Sequence, residues 1–155
     1  MAQIGLLEDN ARIAHLCATI LQYAGHQVIV YNHPRECLQA LLPEAVHENN
    51  GLPLPQPESP PTLPVEVLIL DLNLPDMGGV DVLQSLCSHP QTCCLPLIFC
   101  TAATPSEIMR ALRIAPRACL VEKPFTFQEL ISAITHVLET HKEQQKKQTI
   151  GNEIV

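Results

Sequence analysis

Three carboxylates, a hydroxyl and an ammonium each follow an apolar run in this chain. Glu8 and Asp9 come after residues 3–7, Asp71 after 65–70, Thr101 after 97–100, and Lys123 after 118–121. Carboxylates crowded together repel, so a hard cation such as Mg²⁺, which takes oxygen ligands at about 2.0–2.1 Å, is the expected counter-ion. A carboxylate beside such a cation can act as a nucleophile toward phosphorus. The transferred phosphoryl group then needs donors for its equatorial oxygens, and Lys123 and the Thr101 hydroxyl would supply them. Taken singly, each residue is ordinary: an acidic pair at a strand end is usually solvated, a threonine there is usually a turn residue, and a single lysine usually points at solvent. Their joint placement at four strand ends is what favours a site.

The elements that must position these residues alternate along the chain. Ile13, Leu16, Cys17, Ile20 and Leu21 fall at helical spacing after a capping Asn10, and Gly25 stops that helix. Residues 28–30 are β-branched and read as a strand, and Cys37, Leu38, Leu41 and Leu42 mark a second helix broken at Pro43. Strands are expected again over 65–70, 97–100 and 118–121. Val80, Leu83, Leu86 and Cys87 give a third helix, and Thr104-Pro105-Ser106-Glu107 and Thr126-Phe127-Gln128-Glu129 are capping-box patterns that open a fourth and a fifth. Five strands and five helices in alternation, with near-continuous apolar strands, predict an α/β fold: a doubly wound, five-stranded parallel sheet covered on both faces. Ligands of such sheets bind outside the carboxyl ends of the strands, where all five candidate residues fall.

Two stretches stand apart. Seven of the fourteen prolines lie between 43 and 64, a density that forbids regular helix and central strand, so 44–64 reads as a proline-rich loop insertion between the second helix and the third strand. From about His141 the chain turns polar and is expected to fray, leaving one domain over 1–140 and a polar C-terminal tail over 141–155.

Composition limits the partners. The 155 residues carry a net charge of −7 with 46% hydrophobic residues, enough for a core and too acidic for direct nucleic-acid binding, in which phosphate neutralisation dominates. The nearest basic group, Lys142, Lys146 and Lys147, forms no stripe. No apolar run approaches the roughly 18 residues needed to span a bilayer and no leader pattern opens the chain, so a cytoplasmic protein is expected. The seven cysteines form no C-x-x-C pair and are read as structural thiols of a reducing compartment. Cys93-Cys94 with Cys87 and His89 could suggest a soft-metal site, but adjacent cysteines do not readily supply the usual spaced ligand pair.

LLEDN, LILDLNLPDMGG, IFCTA and VEKPF, in this order, resemble the receiver domains of two-component response regulators; the resemblance covers roughly residues 3–140 outside the proline-rich stretch. It implies a flavodoxin-like receiver fold and phosphorylation of the Asp71 carboxylate by a phosphohistidine donor, either a sensor histidine kinase or a histidine phosphotransfer protein. It also implies Mg²⁺ bound directly by Asp9, Asp71 and the backbone carbonyl of Asn73, and through water by Glu8, with Thr101 and Lys123 on the phosphoryl group and a cis peptide before Pro124. The pattern departs at two positions. Leu120 stands where receivers usually carry the Tyr or Phe that swings inward on activation, and Pro116 aligns with the usual glycine before the fifth strand. Since only about fifteen polar residues follow the last helix, a stand-alone switch is expected, signalling through a downstream protein partner, with homodimer formation left open. Two other classes compete: a phosphatase-type enzyme, which would place an acid–base Asp where Asn73 stands, and a structural adaptor that no longer takes phosphate, against which the full set of site residues counts.

Overall fold

Four of the five helices begin where a side chain or a proline is available to start them. The Asn10 carboxamide oxygen accepts from the backbone N–H groups of Arg12 and Ile13 and opens α1 (Ala11–Tyr23), which ends before Gly25 at a φ of +96°, a left-handed conformation that glycine adopts without cost. Pro34 begins α2 (Pro34–Leu41). A full capping box between Thr104 and Glu107, with Pro105 at the first helical position, opens α4 (Pro105–Ile114), and the Thr126 hydroxyl accepts from the Glu129 N–H at the start of α5 (Phe127–Glu153). The strands are β1 (Gln3–Leu7), β2 (Gln27–Tyr31), β3 (Val67–Leu70), β4 (Leu97–Thr101) and β5 (Cys119–Glu122), with α3 (Gly79–Ser88) between β3 and β4. The computed structural model describes residues 2–42, 63–74 and 77–153, so most of the proline-rich stretch expected as an insertion lies outside the described residues.

All strand pairs are parallel and the sheet order is β2-β1-β3-β4-β5, the doubly wound arrangement expected from the alternation. Side chains of a strand alternate between faces, and here the alternation divides the core in two. Leu7, Leu68, Leu70, Leu97 and Phe99 pack under α2, α3 and α4 against Leu41, Leu83, Leu86 and Ala111. Ile4, Leu6, Val67, Ile69, Ile98, Cys100 and Val121 pack on the other face under α1 and α5, against Cys17, Leu21, Leu130 and Ile134. β3 and β4 are buried along their whole length, which is why their sequences are unbroken apolar runs instead of alternating ones.

One expectation needs correction. The chain does not leave the helix near His141; the α5 backbone continues to Glu153. The residues from 139 onward are rich in Glu, Lys and Gln, all good helix formers, so a polar run there does not by itself end a helix.

The turn from β3 into α3 depends on a close backbone approach. A Cβ on Gly79 would lie 2.4 Å from the Leu72 Cα and 2.6 Å from the Asp71 carbonyl oxygen, and the Gly79 N–H donates to the Leu72 carbonyl at 3.1 Å. Gly79→Ala should therefore push the α3 start away from the segment that carries Asp71. The expected cost is about 1–3 kcal/mol, the range for overpacking, measured by urea unfolding; an unchanged midpoint would show that the turn yields freely.

Candidate functional site

The register of the sheet brings the acidic residues together. Leu7 pairs with Leu70 across β1 and β3, so the residues that follow, Glu8 and Asp71, leave the sheet side by side. Their backbones are tied down as they do so: the Asp71 N–H donates to the Leu7 carbonyl at 3.1 Å and the Glu8 N–H to the Tyr31 carbonyl at 3.2 Å. Asp9 is one residue further on and exposed, whereas Glu8 and Asp71 are buried, at 3% and 4% exposure. Carboxylate oxygens of Glu8, Asp9 and Asp71 lie within 4.8 Å of one another. An all-oxygen, triply acidic donor set of this kind suits a hard divalent cation such as Mg²⁺.

Lys123 supplies the positive charge. It follows β5, whose end is joined to β4 by the Lys123 N–H donating to the Thr101 carbonyl at 3.0 Å, and its peptide to Pro124 is cis. Its ammonium donates to Glu8 Oε2 at 2.6 Å and to Asp71 Oδ2 at 3.0 Å. Burial opposes the charge on Lys123, but the hydrogen bonds to the two carboxylates outweigh it and hold its pKa above the ordinary lysine value. For Glu8 burial is the largest influence; with the neighbouring Asp71 it outweighs the Lys123 hydrogen bond, and the pKa is raised above the usual carboxylate value.

The remaining groups arrive from the other side of the sheet. Thr101 has the parity of Leu97 and Phe99, on the face under α2, α3 and α4, and it is fully buried. Its Oγ1 accepts from the Ala103 N–H at 3.1 Å. The Asn73 N–H donates to Asp71 Oδ1 at 3.0 Å, which folds the segment after β3 back over the Asp71 carboxylate. Leu120 pairs in register with Phe99 and is half-buried against the same core as Ala103, Ile108 and Leu112 of the α4 region.

The structure thus brings Glu8, Asp9, Asp71 and Lys123 into one cluster, with Asn73 hydrogen-bonded to Asp71 and Thr101 linked through the backbone of Lys123. Sequence reasoning did not anticipate that Glu8 would be the nearer partner of Lys123. Nor did it find the Asn10 N–H, which donates to Glu8 Oε1 at 3.2 Å, or Gly79 beneath the Asp71 carbonyl; the Gly78-Gly79 pair was the only available signal. The reading of the cysteines as structural thiols holds for Cys17, Cys37 and Cys100, which are buried, but Cys93 and Cys94 are exposed.

Comparison with known proteins gives one consistent result. The family model described as the response regulator receiver domain matches residues 57–135. Among curated proteins, the response regulator SaeR of Staphylococcus aureus is 22% identical over 143 residues, covering 92% of this chain and 53% of its own length; the chain spans about half of that relative. Among solved structures, a CheY-like response regulator receiver domain protein from Methanospirillum hungatei superposes with a TM-score of 0.71 at 19% identity, covering 93% of this chain and 98% of that one. NtrX from Brucella abortus superposes with a TM-score of 0.73 at 21% identity, covering 96% of this chain and 29% of that one. At these identities the structures attest the fold alone.

The charges of the site set a pH dependence. The raised pKa of Lys123 means that its charged form stabilises the fold; that contribution is full below the unfolded lysine pKa and lost as pH rises through the folded one. The raised pKa of Glu8 means that the folded state binds its proton more tightly, so this group adds stability as pH falls through its folded pKa. Removing Lys123 must then cost most where both carboxylates are ionised. In metal-free buffer Lys123→Met should lose on the order of 3 kcal/mol at neutral pH, as for a buried pair stripped of one partner, and clearly less in acid, where Glu8 takes up a proton. An equal deficit at both pH values would assign the loss to packing of the lysine stem.

Proposed function

This chain belongs to the response regulator receiver domain family, a phosphorelay signalling switch and not a classical enzyme, and on that premise we propose that Asp71 is its phosphoacceptor. The observation that carries this is the Asp71 carboxylate itself: buried at the carboxyl end of the central strand, and held by the Lys123 ammonium on Oδ2 and the Asn73 N–H on Oδ1. An oxygen of Asp71 attacks the phosphorus of a phosphohistidine, the P–N bond breaks, and the imidazole leaves with the electron pair. The donor is a sensor histidine kinase or a histidine phosphotransfer protein.

Asp9 and Asp71, with the Asn73 carbonyl, would hold Mg²⁺ directly, and Glu8 through water; the hard oxygen donors of the cluster support this. When bound, the ion neutralises charge on the phosphoryl oxygens. Lys123, already shared between Glu8 and Asp71, shifts to a phosphoryl oxygen, and the Thr101 hydroxyl donates to another. Only self-phosphotransfer and self-dephosphorylation are then expected of the chain alone. The signal leaves through contacts with a downstream protein or a second copy of the chain. Because Leu120 has no hydroxyl and gains no hydrogen bond by turning inward, the bias toward the active form falls chiefly on the segment 101–113, since a ligand shifts an equilibrium only by its differential interaction with the two states. The exposed Met109 and the half-buried Ile108 and Leu112 make that segment the loosely packed part of its face.

Asp71→Asn should abolish ³²P incorporation from acetyl phosphate while the thermal unfolding profile is retained, because the amide is nearly isosteric and cannot form the acyl phosphate. Incorporation persisting at another residue would sink the assignment. Titration with Mg²⁺ separates the acidic roles: Asp9→Ala should weaken binding more than Glu8→Ala, since a direct ligand outweighs one acting through water. Equal losses would argue against the division of labour proposed.

A further inference from the structure

The thiols at the amino end of the sheet lie outside everything assigned so far. Cys93 and Cys94 occupy the turn between α3 and β4, at the opposite edge from Asp71, and are the two exposed cysteines among the described residues. Their sulfurs are 3.7 Å apart. The turn that holds them is closed by backbone bonds from the Thr92 and Cys93 N–H groups to the His89 carbonyl and from the Leu95 N–H to the Thr92 carbonyl, and is anchored by the buried Thr92 hydroxyl donating to the Leu86 carbonyl. The Cys93 thiol also donates to the Pro90 carbonyl at 3.4 Å. Two thiols are thereby presented together on an ordered turn.

Chemistry decides what such a pair takes. A disulfide needs a sulfur separation of about 2.05 Å and Cα atoms usually 4.4–6.8 Å apart, whereas residues joined by a trans peptide have Cα atoms about 3.8 Å apart; the bond would be strained and readily reduced. A single thiophilic centre bridging both sulfurs asks instead for a separation well beyond a bond length and somewhat inside van der Waals contact, because the bonds of a trivalent pyramidal centre meet at close to a right angle. From the 3.7 Å observed, small side-chain rotations bring the two sulfurs to that separation, whereas a disulfide requires them to close to bonding distance. A cavity of about 330 Å³ beside Cys94 is lined by Leu95, Pro96 and Leu138 as well as by Glu66, Gln91 and Lys142, and its apolar part offers a wall for a substituent on that centre.

We propose that Cys93 and Cys94 form a vicinal dithiol site for a monosubstituted trivalent arsenical carrying an apolar group. Binding is a condensation without redox change: two S–As bonds form, the As–O bonds of the arsenoxide break, and both thiol protons leave on that oxygen as water. Chelation by two preorganised thiols outcompetes monothiols because the second bond closes intramolecularly.

Phenylarsine oxide added to the full, reduced chain tests this by intact-mass spectrometry. One equivalent should be retained against excess glutathione and released by 2,3-dimercaptopropanol. Cys93→Ser and Cys94→Ser should each weaken retention at least about 100-fold, with thermal unfolding unchanged because both side chains are exposed, while Cys87→Ser should keep the adduct. Release by glutathione from the unaltered chain, or full retention in either the Cys93 or the Cys94 variant, would overturn the proposal. The measurement does not involve Asp71, so its outcome is separate from that of the phosphorylation assays.

Discussion

The ammonium of Lys123 between Glu8 and Asp71 is the contact on which the rest of the site depends. Two carboxylates buried side by side would repel strongly in a medium less polar than water, and burying such charge without a counter-charge is costly. The lysine lets both remain in place, close to Asp9, which is a cluster a divalent cation can use. The same ammonium is the mobile group that can follow new negative charge when it appears at Asp71. A single side chain thus serves as counter-ion through two bonds, 2.6 and 3.0 Å long, and under the proposed phosphorylation it would also serve as phosphoryl ligand.

The fold delivers this arrangement through period and register. Because Leu7 is level with Leu70, Glu8 and Asp71 emerge as neighbours; because Thr101 is level with Glu122, Lys123 emerges beside the end of β4. A slip of one residue in either pairing would send these side chains to the opposite face. The two apolar cores prevent such a slip, since every apolar residue of β3 and β4 is committed to one face or the other. Packing far from the chemistry thus fixes the geometry at the strand ends.

Much of this was legible in the sequence, for identifiable reasons. Apolar runs bounded by caps reveal strands and helices through their period, and Asn10, Thr104 and Thr126 behave as their side-chain chemistry requires. The placement of Glu8, Asp9, Asp71, Thr101 and Lys123 at strand ends followed from the alternation alone. What stayed hidden was pairwise geometry. That Lys123 would take Glu8 as its nearer partner depends on the register of three strands, which no local pattern encodes. The persistence of α5 past His141 was missed because polarity was read as an ending, when Glu, Lys and Gln are as content in an exposed helix as in a frayed tail. The exposure of Cys93 and Cys94 was missed because cysteine is buried so often that composition favours the core.

The two faces of the sheet also divide the labour of the site. Glu8, Asp71 and Lys123 share the parity of Ile69 and Val121, toward α1 and α5, whereas Thr101 shares that of Phe99, toward α3 and α4. A phosphoryl group on Asp71 would be gripped from the first face by charge and from the second by a neutral hydroxyl. The charged side is closely packed, with Cys17 of α1 and Leu130 and Ile134 of α5 buried against the sheet. The hydroxyl side leads directly into α4, which buries only Ala111 completely. Binding energy spent on the charged side would hold such a group in place, while the same group drawing on Thr101 would act on the helix with the fewest fully buried residues. Displacement is cheapest there, so under the proposed phosphorylation a change at Asp71 would act on α4 before α1 or α5.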